Sequence, residues 1–180
     1  GMNTMSDLEV KTVVKKDTNW LMNTTIATNY DEICFAVRGD SKYAELVVAN
    51  EAGIVSQVRV DGKINSYALT KDYILCGLRD WEETGKCHIL RYDFKADEKE
   101  NFSTQGELYR MCGGTKNDAL CVDMHFNIYR IDGDAGRLEK INGVFGFANM
   151  PVVFRPIFDN QVICAYLKDD IYSYYLLRLE

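Results

Sequence analysis

The sequence predicts an all-β fold built as four successive repeats, each of four short strands. Three observations carry that prediction. Four cysteines, Cys34, Cys76, Cys121 and Cys164, recur at steps of 42, 45 and 43 residues, and a fixed period in this range marks a repeat architecture. Each stands in a short apolar run just after an acidic turn: Asp31-Glu-Ile-Cys34, Asp72-Tyr-Ile-Leu-Cys76, Asp118-Ala-Leu-Cys121 and Asp159-Asn-Gln-Val-Ile-Cys164. No long window sustains the i, i+3, i+4, i+7 apolar stripe of a helix, whereas 11 tyrosines with many Val and Ile suit pleated surfaces.

The chain opens with Gly1 ahead of Met2, a tag-cleavage scar before a native start. In residues 8–15, Leu8, Val10, Thr12 and Val14 share one face and Glu9, Lys11 and Lys15 the other, which is a strand by its period of two. The first repeat, roughly 19–60, runs from a strand at Trp20 to Thr28 through the Cys34 run. It turns at Arg38-Gly-Asp-Ser-Lys42, returns through Leu46 to Asn50 and ends in Val55 to Val60. The second, roughly 63–104, opens with Lys63 to Thr70, passes Cys76, turns at Glu82 to Lys86 and returns through His88-Ile-Leu-Arg91-Tyr-Asp93. Residues 95–106 are the most polar stretch and read as a loop between repeats. The third, roughly 107–142, holds Glu107 to Met111, a turn at Gly113-Gly-Thr-Lys116, the Cys121 run and Asn127-Ile-Tyr-Arg130-Ile-Asp132. A turn at Asp132 to Gly136 and a strand from Arg137 to Ile141 complete it. The fourth, roughly 147–180, holds Met150 to Phe154, the Cys164 run and Tyr175-Leu-Leu-Arg178-Leu-Glu180, with no fourth strand. Residues 8–15 are expected to supply that strand and so remove an exposed sheet edge. The turns carry Gly, Asn and Asp, which accept positive φ.

On Ile89-Leu-Arg-Tyr-Asp93, Ile128-Tyr-Arg-Ile-Asp-Gly133 and Glu45-Leu-Val-Val-Ala-Asn-Glu-Ala-Gly53, the chain resembles β-propeller repeats, and among them the TolB-type bacterial repeats. The likeness covers most of residues 19–180. It implies a small propeller-like array, residues 1–180 forming one domain, and it transfers no functional residue. TolB-type propellers usually have six or more blades and this chain offers four. A four-bladed ring closed by the N-terminal strand leads. Two chains sharing a larger ring, a partial ring completed by a partner, and a β-sandwich or barrel of the same strands are the alternatives.

The formal net charge of −6 argues against a basic nucleic-acid face. The apolar runs are strand-sized, so no transmembrane helix is expected, and no apolar leader precedes the fold. A soluble cytoplasmic protein is the expectation, a leader removed before Gly1 the alternative. The four periodic cysteines read as reduced packing residues, because equivalent places in neighbouring sheets lie too far apart to bridge. Four thiolates holding zinc is the minority reading, since no Cys-x-x-Cys pair occurs. No metal and no cofactor is therefore expected. Cys87 and Cys112 fall outside the pattern and are candidate reactive thiols.

Cys87 and His88 are adjacent and so point to opposite faces of a strand. Asp123 and His125 share a face but read as a hairpin tip. Asp132-Gly-Asp134-Ala-Gly136 fails the calcium-loop pattern because its twelfth position is Gly143. Gly113 to Lys116 lacks Walker A spacing. Arg91, Arg130 and Arg178 recur at one register and are expected to ladder with Asp93, Asp132 and Glu180. Asp80-Trp81-Glu82-Glu83 is an acidic hairpin with an exposed Trp, and carboxylates beside an aromatic suit sugars. Asp80, Trp81, Glu82 and Tyr109 form the candidate ligand-binding set. The expected function is a non-catalytic binding or scaffolding module for a protein or small ligand. A hydrolase using loop carboxylates on carbohydrate or peptide is the alternative, and a subunit completing its ring as a homo-oligomer is the third. An enzyme should show clustered carboxylates with raised pKa, and a scaffold an exposed aromatic patch at Trp81 and Tyr109.

Overall fold

The computed structural model describes residues 26–38, 43–80, 85–141, 149–157 and 160–179. Among these residues the chain forms fifteen strands and no helix. The strands make four antiparallel sheets in chain order. The first holds β1 (Ala27–Thr28), β2 (Ile33–Arg38), β3 (Tyr43–Asn50) and β4 (Gly53–Asp61). The second holds β5 (Lys63–Leu69), β6 (Tyr73–Arg79), β7 (Cys87–Asp93) and β8 (Glu98–Thr104). The third holds β9 (Leu108–Gly113), β10 (Asp118–Asp123), β11 (Ile128–Asp132) and β12 (Arg137–Lys140). The fourth holds β13 (Val153–Ile157), β14 (Gln161–Lys168) and β15 (Ile171–Arg178). Each sheet is a meander whose spatial order is its sequence order.

The cysteine period is the period of the sheets. Cys34, Cys76, Cys121 and Cys164 each lie in the second strand of their sheet and are fully buried. That strand has a partner on either edge and a neighbouring sheet over each packed face, so its sequence is an unbroken apolar run rather than an alternation. Alternate residues serve opposite interfaces. Ile74 and Cys76 of β6 pack with Cys34, Ala36, Leu46 and Val48 of the first sheet. Leu75, between them, packs with Ala119, Cys121 and Ile131 of the third. Cys112, Leu120 and Val122 of the third sheet meet Phe154, Val162 and Cys164 of the fourth. Each Leu or Ile buried this way contributes about 1.5–3 kcal/mol. The first strands are innermost: β9 lies against β5 and β13, and β1 against β5 and β9.

A polar chain links the sheets along one end, where each first strand turns into the second. Asn29 Nδ2 donates to the Thr70 carbonyl at 2.8 Å. Thr70 Oγ1 and the Asp72 amide donate to Asn117 Oδ1 at 3.1 and 2.9 Å. The Thr115 amide and hydroxyl donate to Asn160 Oδ1 at 2.9 and 2.8 Å. One turn side chain thus couples each sheet to the next.

Several expectations need correction. Residues 98–104 are not a loop but β8, paired along β7 from Asp93↔Glu98 to Cys87↔Thr104. An outermost strand with little buried surface needs no apolar pattern, and only Phe102 reaches the core. The arginine ladder also differs. Arg91 pairs with Glu100, directly opposite on β8, and Arg130 with Asp118. The acids expected to meet them are spent on turns: Asp93 Oδ1 accepts the Lys95 and Ala96 amides at 3.0 and 2.9 Å, and Asp132 Oδ1 accepts the Ala135 amide at 3.0 Å. Cys112 is buried, donates to the Phe154 carbonyl and has its pKa pushed up to about 12 by burial. The Cys87 thiol is also raised, by burial and by Glu107. Both environments are the reverse of what activates a thiol. Residues 8–15, Glu180 and all but Ala27–Thr28 of the strand expected at 20–28 (Ile26 apart) lie outside the described residues.

Candidate functional site

From the end of the strands opposite the polar chain, a cleft of about 680 Å³ extends between the second and third sheets along β12 to the β11–β12 turn. One wall is the end of β8 and its link to β9. The other is the β10–β11 hairpin with β12. Phe102, Tyr129 and Leu138 form its floor, each packed inward on the cluster shared by the two sheets. Met124 stands at the hairpin tip, 47% exposed, and its sulfur lies 3.6 Å from where a Cβ on Gly106 would sit. Beside Gly136, Arg91 Nη1 donates to the carbonyls of Gly133 and Asp134 at 2.6 and 2.9 Å, tying β7 to the third sheet.

The hairpin's own chemistry is local. Asp123 ends β10 and is nearly buried. Its Oδ1 accepts the amides of His125 and Asn127, both at 2.9 Å, and its Oδ2 accepts Asn127 Nδ2 at 3.1 Å. Burial alone would raise this carboxyl, but these bonds outweigh it and hold it below the usual range. Arg137 and Lys140 stand exposed on the rim. Arg137 Nε is 3.5 Å from Glu139 with both side chains in solvent, a contact worth little.

Next to the cleft lies a second polar group. Glu107 is 8% exposed and accepts from Tyr109 Oη and, at 3.4 Å, from Arg79 Nη1. The Tyr109 hydrogen bond, with Lys63 and Arg79 nearby, lowers the Glu107 pKa, and Glu107 in turn raises that of Tyr109. Asp80 Oδ1 sits 3.6 Å from His88 Nδ1. Of the four residues singled out from sequence, Asp80 and Tyr109 fall at this end with Arg79 and Cys87 between them. Trp81 and Glu82 lie outside the described residues. Tyr109 is half-buried and bonded rather than an exposed aromatic. The exposed tyrosines among the described residues are elsewhere: Tyr30, and Tyr172 and Tyr174 on β15, 55% and 62% exposed, with ring centroids 6.3 Å apart. Glu107 was missed, although Glu107 and Tyr109 share a face by the period of two. The cleft left no signal, since its walls come from two repeats.

Among the described residues, three carboxylates have clearly displaced titration, and all move down: Asp72, through Asn117 and Lys95, together with Glu107 and Asp123. Catalytic acids move up. A lowered folded pKa gives stability that is complete above the ordinary carboxylate range and is lost as pH falls through the folded value. Urea midpoints taken from about pH 7 to about pH 3 are therefore expected to decline on the acid side. A midpoint that stays flat or rises there is the contrary result.

No protein-family model matches the chain, and no curated protein does. Solved structures do. The chain is similar to the structure of U3-55K, at TM-score 0.54 and 9% identity over 86% of this chain and 45% of that one. It is similar to the WD40 repeats of RRP9 at 0.53 and 9%, over 86% and 44%. It is similar to the N-terminal domain of Nup159 at 0.51 and 10%, over 89% and 42%. The chain spans less than half the length of each. WD40 repeats are propeller blades, so the likeness shows the fold, a small β-propeller-like array, as the repeat pattern predicted.

Proposed function

We propose that this chain is a non-catalytic binding module that presents the hairpin end of its sheets to a protein partner. The observation that carries this reading is the cleft between the second and third sheets. It has an apolar floor and a rim of mixed charge, with Arg137 and Lys140 beside Glu139, and its lining carboxylate, Asp123, is held ionised by its own hairpin. Asp80 and Tyr109, close to that cleft, belong to the same reading, and Trp81 and Glu82 join it on the sequence alone. So does the finer likeness to TolB-type repeats. Propeller neighbours support a broad loop-bearing face, but fold alone does not give function. The test pairs light scattering of the full chain, with proteins captured from its source lysate, and turnover assays on chromogenic glycosides and peptide anilides. A saturable complex of defined mass and no product above buffer is expected. Turnover that disappears in Glu107→Gln would overturn the reading and put a hydrolase in its place.

A further inference from the structure

We infer that the outer edge of β15 is an interface between two copies of this chain, paired antiparallel about a two-fold axis at Tyr174. This goes beyond the binding-module reading and does not rest on the cleft. The first three sheets each end in a fourth strand, and two of those, β8 and β12, are rich in charge: Glu98, Lys99 and Glu100, and Arg137, Glu139 and Lys140. Charge on an outermost strand discourages further pairing. Among the described residues the fourth sheet ends instead at its third strand, and β15 pairs only with β14. That strand, Ile171-Tyr-Ser-Tyr-Tyr-Leu-Leu-Arg178, has no Pro, no Gly and one charge. Tyr175 and Leu177 turn onto the core shared with the third sheet. Tyr172, Tyr174 and Leu176 turn the other way and are 55%, 62% and 60% exposed. On the third strands of the first two sheets, Leu46, Val48 and Ile89 hold the places that face the next sheet, and all are fully buried. A strand of interior composition therefore stands at an edge, where it needs a partner.

The partner is a second copy because β15 is complementary to itself. Opposite pairs in an antiparallel ladder alternate between two hydrogen-bonding types, so a two-fold axis must pass between a residue and its own copy. With the axis at Tyr174, the two Tyr174 side chains meet. Tyr172 then meets Leu176 of the other copy, Ile171 meets Leu177 and Ser173 meets Tyr175. Arg178 of each copy comes beside the exposed Asp169-Asp170 turn of the other. Aromatic pairs and opposite charges across strands are favourable. Moving the axis to Ser173 sets Asp170 against Leu176 and Asp169 against Leu177. Moving it to Tyr175 sets Arg178 against Tyr172 and leaves the acidic turn unmatched. The register centred on Tyr174 is thus the one that matches both the apolar residues and the charges. A foreign strand would require no such internal symmetry, whereas a two-fold interface is built from one patch meeting itself. The dimer would carry two hairpin ends, so a partner with repeated motifs would meet two sites on one particle.

Light scattering of the full chain at rising concentration is expected to reach the mass of two chains. Tyr174→Lys sets two like charges opposite each other and should weaken the dimer about ten-fold or more. Its urea midpoint in dilute solution should stay close to the parent's, since Tyr174 is exposed. Mild oxidation of Tyr174→Cys should link the two copies, because opposite Cα atoms lie about 4.5–5.5 Å apart, within disulfide reach. Tyr172→Cys should not link, its own copy lying about 13 Å along the ladder. The parent should not link either, its cysteines being buried or half-buried. Amides of β15 that point away from β14 should exchange more slowly as concentration rises. A monomer at all concentrations, a dimer unmoved by Tyr174→Lys, or Tyr172→Cys linking as readily as Tyr174→Cys would each overturn the assignment. So would a Tyr174→Cys/Thr12→Cys variant that links within one chain, which would give the edge to residues 8–15. None of these outcomes bears on the cleft, so the binding module stands or falls separately.

Discussion

Gly113→Ala is expected to destabilise the protein by about 3 kcal/mol, the upper end for overpacking a tight interior. A Cβ built on Gly113 would lie 2.3 Å from the Leu69 carbonyl oxygen and 3.0 Å from its carbon. Both are backbone, in the facing inner strand β5, and neither can rotate away. The methyl can be accommodated only by moving β9 off β5, which loosens the whole interface of the second and third sheets. For a chain of this length the thermal midpoint should drop by roughly 6–12 °C. Gly114→Ala is the control. Its Cβ would meet Asn160 Oδ1 at 2.5 Å and Leu179 Cδ1 at 2.9 Å, which are side-chain ends rather than backbone and can shift at the cost of the Thr115 bonds to Asn160, and a smaller loss of about 1–2 kcal/mol is expected. Equal shifts in the two variants would show that β5 and β9 do not approach this closely.

Asn117→Ala is expected to cost about 2–3 kcal/mol. It removes the acceptor for Thr70 and the Asp72 amide, and the donor to Asp72 Oδ2 at 2.8 Å and to Asp134 Oδ1 at 3.2 Å. Each such bond is worth about 1 kcal/mol net, less where solvent can replace it. Asn117→Asp separates the roles. It keeps an acceptor but sets a third carboxylate beside Asp72 and Asp134. Like charges raise a carboxyl's folded pKa, so the penalty should be full near neutrality and should shrink as pH falls. Around neutral pH the Asp variant should be the less stable of the two. An Asp variant whose stability declines with acid in parallel with the parent would exclude this placement of the three side chains.

The fold was legible wherever burial constrained sequence. The second strand of each sheet has strands on both edges and at least one face against a neighbouring sheet, so Cys34, Cys76, Cys121 and Cys164 stand in apolar runs at the spacing of the sheets. The same logic hides β8, whose Glu98-Lys-Glu-Asn stretch is exposed and free to be polar. Arg91 and Arg130 were matched to acids on their own strands because a period of two is visible in one dimension. Cross-strand neighbours win in three, and turns claim Asp93 and Asp132 first. The inter-sheet polar chain was readable in principle. Asn29, Thr70, Asn117 and Asn160 recur at nearly the cysteine spacing, but Asn and Thr before a turn have local uses that mask a longer reach. The cleft was not readable at all, since Phe102 and Leu138 become neighbours only once two sheets stack.

Face-to-face stacking gives the molecule a particular unfolding cooperativity. Apart from the contact of β1 with β9, the described interfaces join consecutive sheets, so stability is close to a sum of sheet terms and nearest-neighbour terms. Amides of β6, β7 and β10 sit in sheets flanked on both sides by such interfaces. They should exchange with solvent only in the largest openings, while β15 exchanges in smaller ones. A ligand lodged between the second and third sheets would clamp the junction that carries the most cooperative coupling. Its binding energy would then register as slowed exchange far beyond the residues it touches, along both flanking sheets.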